Sequence, residues 1–387
     1  MLYYYSKRIM LNTCLIIISV FLLFNYLFFL SGIFRGLGKL TGSVRDKIPD
    51  EFVSVIIPFR NESENILKSL ESIENQNYPK ERFEVIYVND FSDDDSLEKL
   101  LCAEKSSSVK ILSVPENYSV NAHKKRAVRF GIENSRGEII VTTDADCIQN
   151  KDWLGSLLNY FDEQTGFVSG PVEFIVNGSL FSKLQKLEFA GLVFTGAGLI
   201  GAGKPTICNA ANIAYRKSVF KSVNGFNDNL NLSSGDDELL MQKISKETNY
   251  KIKFCTDKEA IVKTQANDTL GKFYHQRKRW ASKGLFYADK MLVIKLMLIF
   301  LFYLSLILMP AAAIFLSESF WILFILSFVL KLSFESLIIK RGAGLLYGKE
   351  LLKYIFIAEL FHIPYIIIAG AFGAFGNFNW KDRKIRR

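Results

Sequence analysis

Histidine is nearly missing from this chain: 387 residues hold only His123, His275 and His362, far apart in sequence. A histidine-based metal centre is therefore not expected. Cysteine is thin as well. Cys14, Cys102, Cys147, Cys208 and Cys255 are odd in number, scattered, and never in a CxxC spacing, which argues against both a disulfide framework and a zinc site. Unpaired thiols of this kind suit a soluble part facing a reducing cytosol. There is no internal repeat and no low-complexity stretch. Composition excludes disorder, collagen and a small disulfide scaffold. What the chain has in abundance is apolar: 49% of residues are hydrophobic, including 33 Phe, and the mean hydropathy is +0.16. Yet 22% of residues are charged and the formal net charge is +9. Two materials are joined here, a water-soluble part and a lipid-soluble part, with room for one enzyme-sized domain and several membrane passes.

The apolar material lies at the ends. Ile9 to Phe34 carries no charge, enough to cross a bilayer core, which takes about 20 residues. Lys7 and Arg8 precede it as they would a secretory signal, but the stretch is too long and no small-x-small cleavage pattern follows. It reads as a retained anchor. A second cluster begins after Lys295. Leu296–Ser317 is uncharged, and Ser319–Ile339 holds only Lys331 and Glu335, four apart and able to pair on one helical face. Leu360–Trp380 is uncharged but contains His362, Pro364 and three glycines, which would loosen a helix; it either spans or is partly re-entrant.

Basic residues set the orientation. Arg35, Lys39, Arg45 and Lys47 follow the first span, and Lys272, Arg277, Lys278, Arg279 and Lys283 precede the second. Both borders of the central region are thus basic, which puts that region in the cytosol. Lys340, Arg341, Lys349 and Lys353 fit the same side. The basic tail Lys381–Arg387 conflicts with a third full crossing, so the side of the C-terminus stays open. These strips together carry more positive charge than the whole chain, so the remainder is mildly acidic. The charge concerns orientation and anionic headgroups, and nucleic acid is not expected as a partner.

Between Pro49 and Lys272 the pattern alternates. Phe52–Pro58, Phe83–Val88, Val109–Val114 and Glu138–Thr143 read as strands. Helical stretches follow Ser63, the acidic turn NDFSDDDS and Asn121, the last running to Asn134. This is the signature of an α/β fold with an open, mostly parallel sheet covered on both faces. Such sheets bind ligands beyond the carboxyl ends of their strands.

Those ends are polar. Arg60, Asn61 and Glu62 follow the first strand; Asn89, Asp90 and Asp93 to Asp95 follow the second; Asp144-Ala-Asp146 follows the fourth. Carboxylates without His or Cys suit a hard divalent cation, Mg²⁺ or Mn²⁺, that keeps some waters and binds phosphate oxygens. For Asp93–Asp95 a turn-forming role is favoured, with Ser92 or Asp93 capping the next helix. Asp144 and Asp146 end a buried-looking strand and are better candidates for chemistry. Two further matches fail. Gly196-Ala-Gly198-Leu-Ile-Gly201 fits the dinucleotide fingerprint and Gly198 to Lys204 the start of a P-loop. However, no strand precedes them, and Pro205 stands where a P-loop needs Ser or Thr. A closely packed small-residue stretch, or a mobile loop at the membrane surface, is expected instead. Two acidic or basic runs remain: Ser234-Gly-Asp236-Asp237-Glu238 at a helix start and Gln276-Arg-Lys-Arg279-Trp280 before the membrane cluster. Taken singly, each is as well explained by dipole pairing or interfacial anchoring as by catalysis.

Taken in order, VSVIIPFRNE (Val53–Glu62), VNDFSDDDS, TDAD (Thr143–Asp146), GDD (Gly235–Asp237) and QRKRW (Gln276–Trp280) resemble the membrane-bound inverting glycosyltransferases of family 2. That group includes cellulose, chitin, hyaluronan and poly-N-acetylglucosamine synthases and ceramide glucosyltransferase. The likeness implies a GT-A, Rossmann-like nucleotide-sugar domain over residues 48–275, flanked by transmembrane helices. Residues 1–47 would be the anchor and its linker, 276–290 an interfacial segment, and 291–387 the C-terminal helices and tail. It also implies roles. Glu62 and Asp90 would contact the nucleoside, and Lys124 the nucleotide or its phosphates. Asp146 would hold the metal with Asp144 near the nucleotide-sugar. Asp237 would be the general base. Gln276, Arg279 and Trp280 would close over the pyrophosphate and acceptor, and Asn209 to Asn212 would form the acceptor-side loop. Departures fall around the nucleobase: Asn89 and Phe91 replace the Asp and Gly of a common DDG, and His123 replaces the Gly before the lysine. Gly235-Asp236 stands in for Thr/Ser-Glu.

Physical logic agrees with those roles. Cleavage of a glycosyl–phosphate bond yields an oxocarbenium-like sugar and a pyrophosphate with extra negative charge. Metal, Lys124 and Arg279 can stabilise the latter, while a carboxylate on the opposite face takes the acceptor proton. One base and one displacement invert the linkage. The expected product is a β-linked polysaccharide built from a UDP-sugar; the alternative is one sugar added to a lipid. Few spans favour lipid work or an assembled pore, through a homo-oligomer or an export partner. A channel or purely structural membrane protein is the non-enzymatic alternative, supported only by Lys331, Glu335 and Glu359.

Overall fold

The computed structural model describes residues 2–43, 51–118, 123–227, 235–282, 287, 289–375, 378–380 and 383–385. Arg45, Lys47, Asn121, Ser234, Lys283 and the tail residues Lys381, Arg386 and Arg387 lie outside them. The chain opens on a long helix, α1 (Leu2–Leu37). Strand and helix then alternate through β1 (Val53–Phe59), α2 (Ile66–Glu74), β2 (Phe83–Asn89), α3 (Ser96–Cys102), β3 (Val109–Ser113), α4 (His123–Glu133), β4 (Ile139–Thr142) and α5 (Trp153–Leu158). Next come β5 (Thr165–Ser169), β6 (Val172–Ile175), α6 (Leu180–Gly201), β7 (Ile213–Arg216), α7 (Lys217–Ser222), α8 (Glu238–Glu247), β8 (Lys251–Phe254), β9 (Val262–Gln265) and α9 (Leu270–Ala281). Three long helices follow, α10 (Lys290–Phe315), α11 (Ser319–Leu345) and α12 (Ile355–Phe375), with a short hairpin of β10 (Phe378–Trp380) and β11 (Arg383–Ile385).

Seven strands form one sheet in the order β3-β2-β1-β4-β7-β5-β8. β1 is wholly buried and rich in β-branched residues, as a central parallel strand must be. It pairs in parallel with β2 (Val53↔Phe83) and β4 (Val53↔Ile139). β7 runs antiparallel to both β4 and β5, so the expected mostly parallel sheet is present with one reversed strand. β4 stops at Thr142 opposite Ile56. Pro58, which has no N–H to give a ladder, lies beyond that last partner, so β1 and β4 part there while β1 stays paired with β2 to Phe59.

Apolar side chains cover both faces. Val55, Ile57, Leu70, Trp153 and Leu157 pack on one side. On the other, Ile56, Ile86, Val88, Val128 and Ile132 form a core that runs on into Leu22, Leu30, Phe194 and Phe302 of the long helices. The soluble domain and the helix bundle therefore share one apolar core. α6 is the junction. Its glycines, the residues of the false dinucleotide fingerprint, let α1 cross in near backbone contact: a Cβ on Gly36 would lie 1.8 Å from the Gly198 carbonyl oxygen. The stretch is helical and closely packed, as its small residues suggested, and it binds no phosphate loop.

Four helices are long and apolar enough to cross a membrane: Ser6–Leu37, Lys290–Phe315, Ser319–Leu345 and Lys349–Gly373. Phe24, Phe28, Phe315, Ile322 and Phe361 point outward and are each more than 60% exposed. Such a bare apolar girdle marks a surface meant for lipid or another apolar partner. For the last segment, left open between a full span and a partly re-entrant one, the structure shows one unbroken helix, α12, from Ile355 through Pro364, Gly370 and Gly373 to Phe375; Gly376 lies outside the described residues. Inside the bundle Lys331 and Glu335 pair at 3.0 Å as their spacing suggested, and Glu359 joins the ammonium from α12. Glu335, Glu359 and His362 come within 4.8 Å of one another, but Lys331 already supplies the cation between the carboxylates.

Candidate active site

The strand ends are tied before any ligand arrives. Asn61 and Phe91 take positive φ, 51° and 59°, which turns the chain sharply after β1 and β2. The two loops then interlock: Asn61 N donates to Ser92 Oγ at 3.2 Å and Asp93 N to Asn61 Oδ1 at 2.8 Å. Arg60 donates to the Asp90 carbonyl at 3.1 Å and pairs with Asp93 at 2.5 Å. The acidic run is structural, though with a different cap from the one expected. Asp94, not Ser92 or Asp93, accepts the Ser96 N–H at 3.1 Å, and it also holds Ser63 N across the gap.

Ten of the eleven expected site residues line one cavity of about 940 Å³ at this edge of the sheet. Glu62 and Asp90 stand on the β1 and β2 side, Asp144 and Asp146 after β4, Asn209 before β7, and Asp237 at the start of α8. Gln276, Arg279 and Trp280 come from α9. Asn212 is the exception. Its carbonyl oxygen accepts Trp153 Nε1 at 2.9 Å, and its amide donates to Pro171 and Ala260 at 2.8 Å each, fully buried. It holds the sheet edge to β6 and does not reach the cavity.

Lys124, from α4, joins the two carboxylate groups: it pairs with Asp144 and lies 3.4 Å from Asp236. Burial disfavours its charge, but Asp144 and Asp236 override that and push its pKa well above the usual lysine value. Arg279 experiences the reverse balance. Burial lowers its pKa against the pull of Asp144, Asp236, Asp237 and Asp146. These four carboxylates against Lys124 and Arg279 leave two negative charges. A divalent cation would neutralise them.

The donor set fits such an ion. Asp144 and Asp146 offer oxygens without thiolate or imidazole, which selects a hard metal. Asp146 is half-buried, and its contacts to Cys147 Sγ and Thr264 Oγ1 are long, 3.6 and 3.5 Å. Burial, then Asp146 and Asp144, push the Cys147 thiol pKa up, which disfavours its thiolate. Asp237 caps α8. Its Oδ1 accepts Glu238 N at 2.7 Å and its Oδ2 accepts Ala210 N at 3.0 Å, and the residue borders the cavity.

Several contributors escaped the sequence reading. Arg126, two residues after Lys124, pairs with the buried Asp90 and lies 4.7 Å from the Phe91 ring. Asp236 contributes charge of its own beside Asp237. Arg277, counted above as part of a basic border, is buried against Glu188 of α6. An i, i+2 spacing of basic residues on α4 was the available signal for Arg126; nothing local pointed to Glu188.

Comparison with known proteins gives the family and the fold. The model of Glycosyl transferase family 2 matches residues 54–223, and that of Glycosyl transferase family group 2 matches residues 139–340, just over half of the chain. The chain belongs to this glycosyl transferase family. Glycosyltransferase AglE of Haloferax volcanii is 30% identical over 217 residues, 53% of this chain and 65% of that protein. Poly-beta-1,6-N-acetyl-D-glucosamine synthase of Staphylococcus epidermidis is 26% identical over 244 residues, 60% and 55% of the two chains. The chain thus spans well under two thirds of the synthase and just under two thirds of AglE. Among solved structures, the mannosyltransferase PcManGT from Pyrobaculum calidifontis, in complex with GDP-Man and Mn²⁺, superposes with a TM-score of 0.58 at 18% identity. The superposition covers 93% of this chain and 98% of that one. The fold is GT-A-like.

Proposed function

We propose that the chain is an integral-membrane, inverting, metal-dependent glycosyltransferase. It takes a sugar from a nucleotide-sugar, for which a UDP-sugar is the first candidate, and passes it to an acceptor that arrives along the membrane. One observation carries this reading: a single cavity joins the strand-end carboxylates to the space between α10 and α12. Glu62 and Asp90 with its Arg126 partner sit where the nucleoside lies. Asp144 and Asp146 would hold Mg²⁺ or Mn²⁺, and the ion would supply charge stabilisation to the departing pyrophosphate. Lys124 and Arg279 add to that stabilisation. Asp237 receives the acceptor proton from the far side, and a single displacement inverts the anomeric centre. Asn209 and Trp280 border the acceptor.

The membrane end of the cavity bears on the acceptor. Val293, Leu296, Met297 and Phe300 from α10 face Ile366 and Ala369 from α12. An aliphatic groove of this kind supports an acceptor carried on a lipid over a bare growing polysaccharide; polymer extension, in an assembly with further copies or an export partner, is the second reading. The basic borders favour a cell-membrane protein with its catalytic domain in the cytosol.

The test uses purified full-length protein in lipid nanodiscs with Mn²⁺ or Mg²⁺ and a panel of radiolabelled nucleotide sugars. Products are sorted into organic-extractable and polymeric fractions. Consumption of one nucleotide sugar, abolished by a chelator and restored by metal, is expected, with label in the lipid fraction. Label only in polymer would move the assignment to the second reading. No turnover of any nucleotide sugar would overturn the function.

A further inference from the structure

The QRKRW helix carries two arginines that both border the cavity. Arg279 lies in the field of the Asp144, Asp146, Asp236 and Asp237 carboxylates, whereas Arg277 is 2% exposed and held by other partners. Its guanidinium meets the Glu188 carboxylate with two prongs, Nε to Oε1 at 3.1 Å and a second contact to Oε2. Its remaining nitrogen donates to Gln276 Oε1 at 2.5 Å, and its face lies 4.4 Å from the Trp280 ring. One guanidinium therefore touches both Gln276 and Trp280. Gln276 Oε1 also accepts Asn267 Nδ2 at 2.9 Å, and Asn267 is itself held by Gln185, one turn before Glu188 on α6. With its oxygen so engaged, Gln276 has its amide N–H groups left for the cavity. Finally, Tyr365 on α12 donates to Glu188 Oε1 at 3.1 Å.

Burying this pair is expensive, and apolar side chains would join α6 to α9 at lower cost. What an apolar contact lacks is direction. A forked guanidinium on a carboxylate fixes a plane, and that plane orients an amide and an indole at once. We propose that Glu188 is a positioning residue for the transfer reaction: through Arg277 it sets Gln276 and Trp280 where donor and acceptor meet, and Tyr365 ties that setting to the spanning helix α12. This rests on the glycosyltransferase reading above.

Glu188→Gln keeps the shape and removes the charge; Tyr365→Phe removes one hydroxyl. In the nanodisc assay Glu188→Gln is expected to lower kcat and raise the acceptor KM, together by roughly 10- to 100-fold in kcat/KM, the range of a lost charged hydrogen bond. Affinity for UDP and GDP with Mn²⁺, measured by calorimetry, is expected to stay within about threefold, because Glu62, Asp90 and Lys124 line the cavity and Glu188 is not among its lining residues. Tyr365→Phe is expected to lower kcat/KM for the acceptor by about 3- to 10-fold with unchanged thermal stability. A merely structural pair would instead lose nucleotide affinity and turnover in step with melting temperature. Should Glu188→Gln fail to fold, Tyr365→Phe decides alone. Variants of an active enzyme that behave as wild type overturn the positioning role alone. Wild-type protein that turns over no nucleotide sugar overturns the function and this role with it.

Discussion

Replacing Asp237 by Asn separates the chemistry from the scaffold, and the structure gives both magnitudes. The carboxylate accepts two backbone N–H groups, Glu238 on Oδ1 at 2.7 Å and Ala210 on Oδ2 at 3.0 Å. Asparagine has one carbonyl oxygen, so its NH2 must face one of these donors. The residue is 8% exposed, and an unsatisfied N–H there costs about 1–3 kcal/mol. A lower melting temperature is therefore expected even though the substitution is nearly isosteric. The rate effect is larger. In the proposed role of general base, its removal costs on the order of 10²–10⁴ in turnover, far beyond what a partly loosened helix cap explains. The assay compares three quantities in one detergent: turnover of the nucleotide sugar, equilibrium binding of the nucleotide with Mn²⁺, and the unfolding midpoint. The expected pattern is turnover near background, nucleotide binding close to wild type, and a modest drop in midpoint. Turnover within about threefold of wild type would refute the reasoning, since the acceptor proton would then have another destination.

Two further outcomes test the scaffold. Gly36→Ala sets a methyl 1.8 Å from the Gly198 carbonyl oxygen; the helices must separate, and a loss of about 1–3 kcal/mol in thermal stability in detergent is expected, whereas an unchanged midpoint would contradict the close crossing. Asp162 tests acid stability. Burial alone would raise its pKa, but hydrogen bonds from Lys253 and Thr165 lower it from 3.8 to about 2. A folded value below the unfolded one stabilises above 3.8, and that contribution disappears as pH falls to about 2. Because the Asp162 side chain is 42% exposed, screening keeps the effect small. Asp162→Asn is expected to flatten the loss of stability between these pH values, and an unaltered acid titration would refute the pairing.

Much of the architecture was legible because it depends on local chemistry. Short β-branched runs alternating with helical periods specify a sheet covered on both faces, and uncharged stretches of about 20 residues specify helices long and apolar enough to cross a membrane. The carboxylates after β2 and β4 were found by position, since every parallel strand delivers its end to the same edge. Errors arose where a residue's role depends on distant partners. Asn212 sits one turn from Asn209, yet its amide is consumed by Trp153, Pro171 and Ala260, 59, 41 and 48 residues away. The sequence left the segment around Pro364 open between a full span and a partly re-entrant one, and the structure carries α12 as one helix through it to Phe375.

The sequence by itself determined an α/β domain between apolar ends, a set of strand-end carboxylates and a basic run ending in tryptophan before the second apolar cluster, which the structure folds into α9. It did not determine which partners each side of that helix meets. Arg277 and Arg279 are the same residue type two positions apart, which on a helix puts them on nearly opposite faces. Periodicity separates the two faces without saying which one is covered. Glu188 on α6 and Tyr365 on α12, each more than 80 residues away, bury the first arginine and leave the second beside the carboxylates of the cavity. Only the tertiary structure decides this, because the free energy of burying a guanidinium depends on which charged and aromatic groups the rest of the chain brings to meet it.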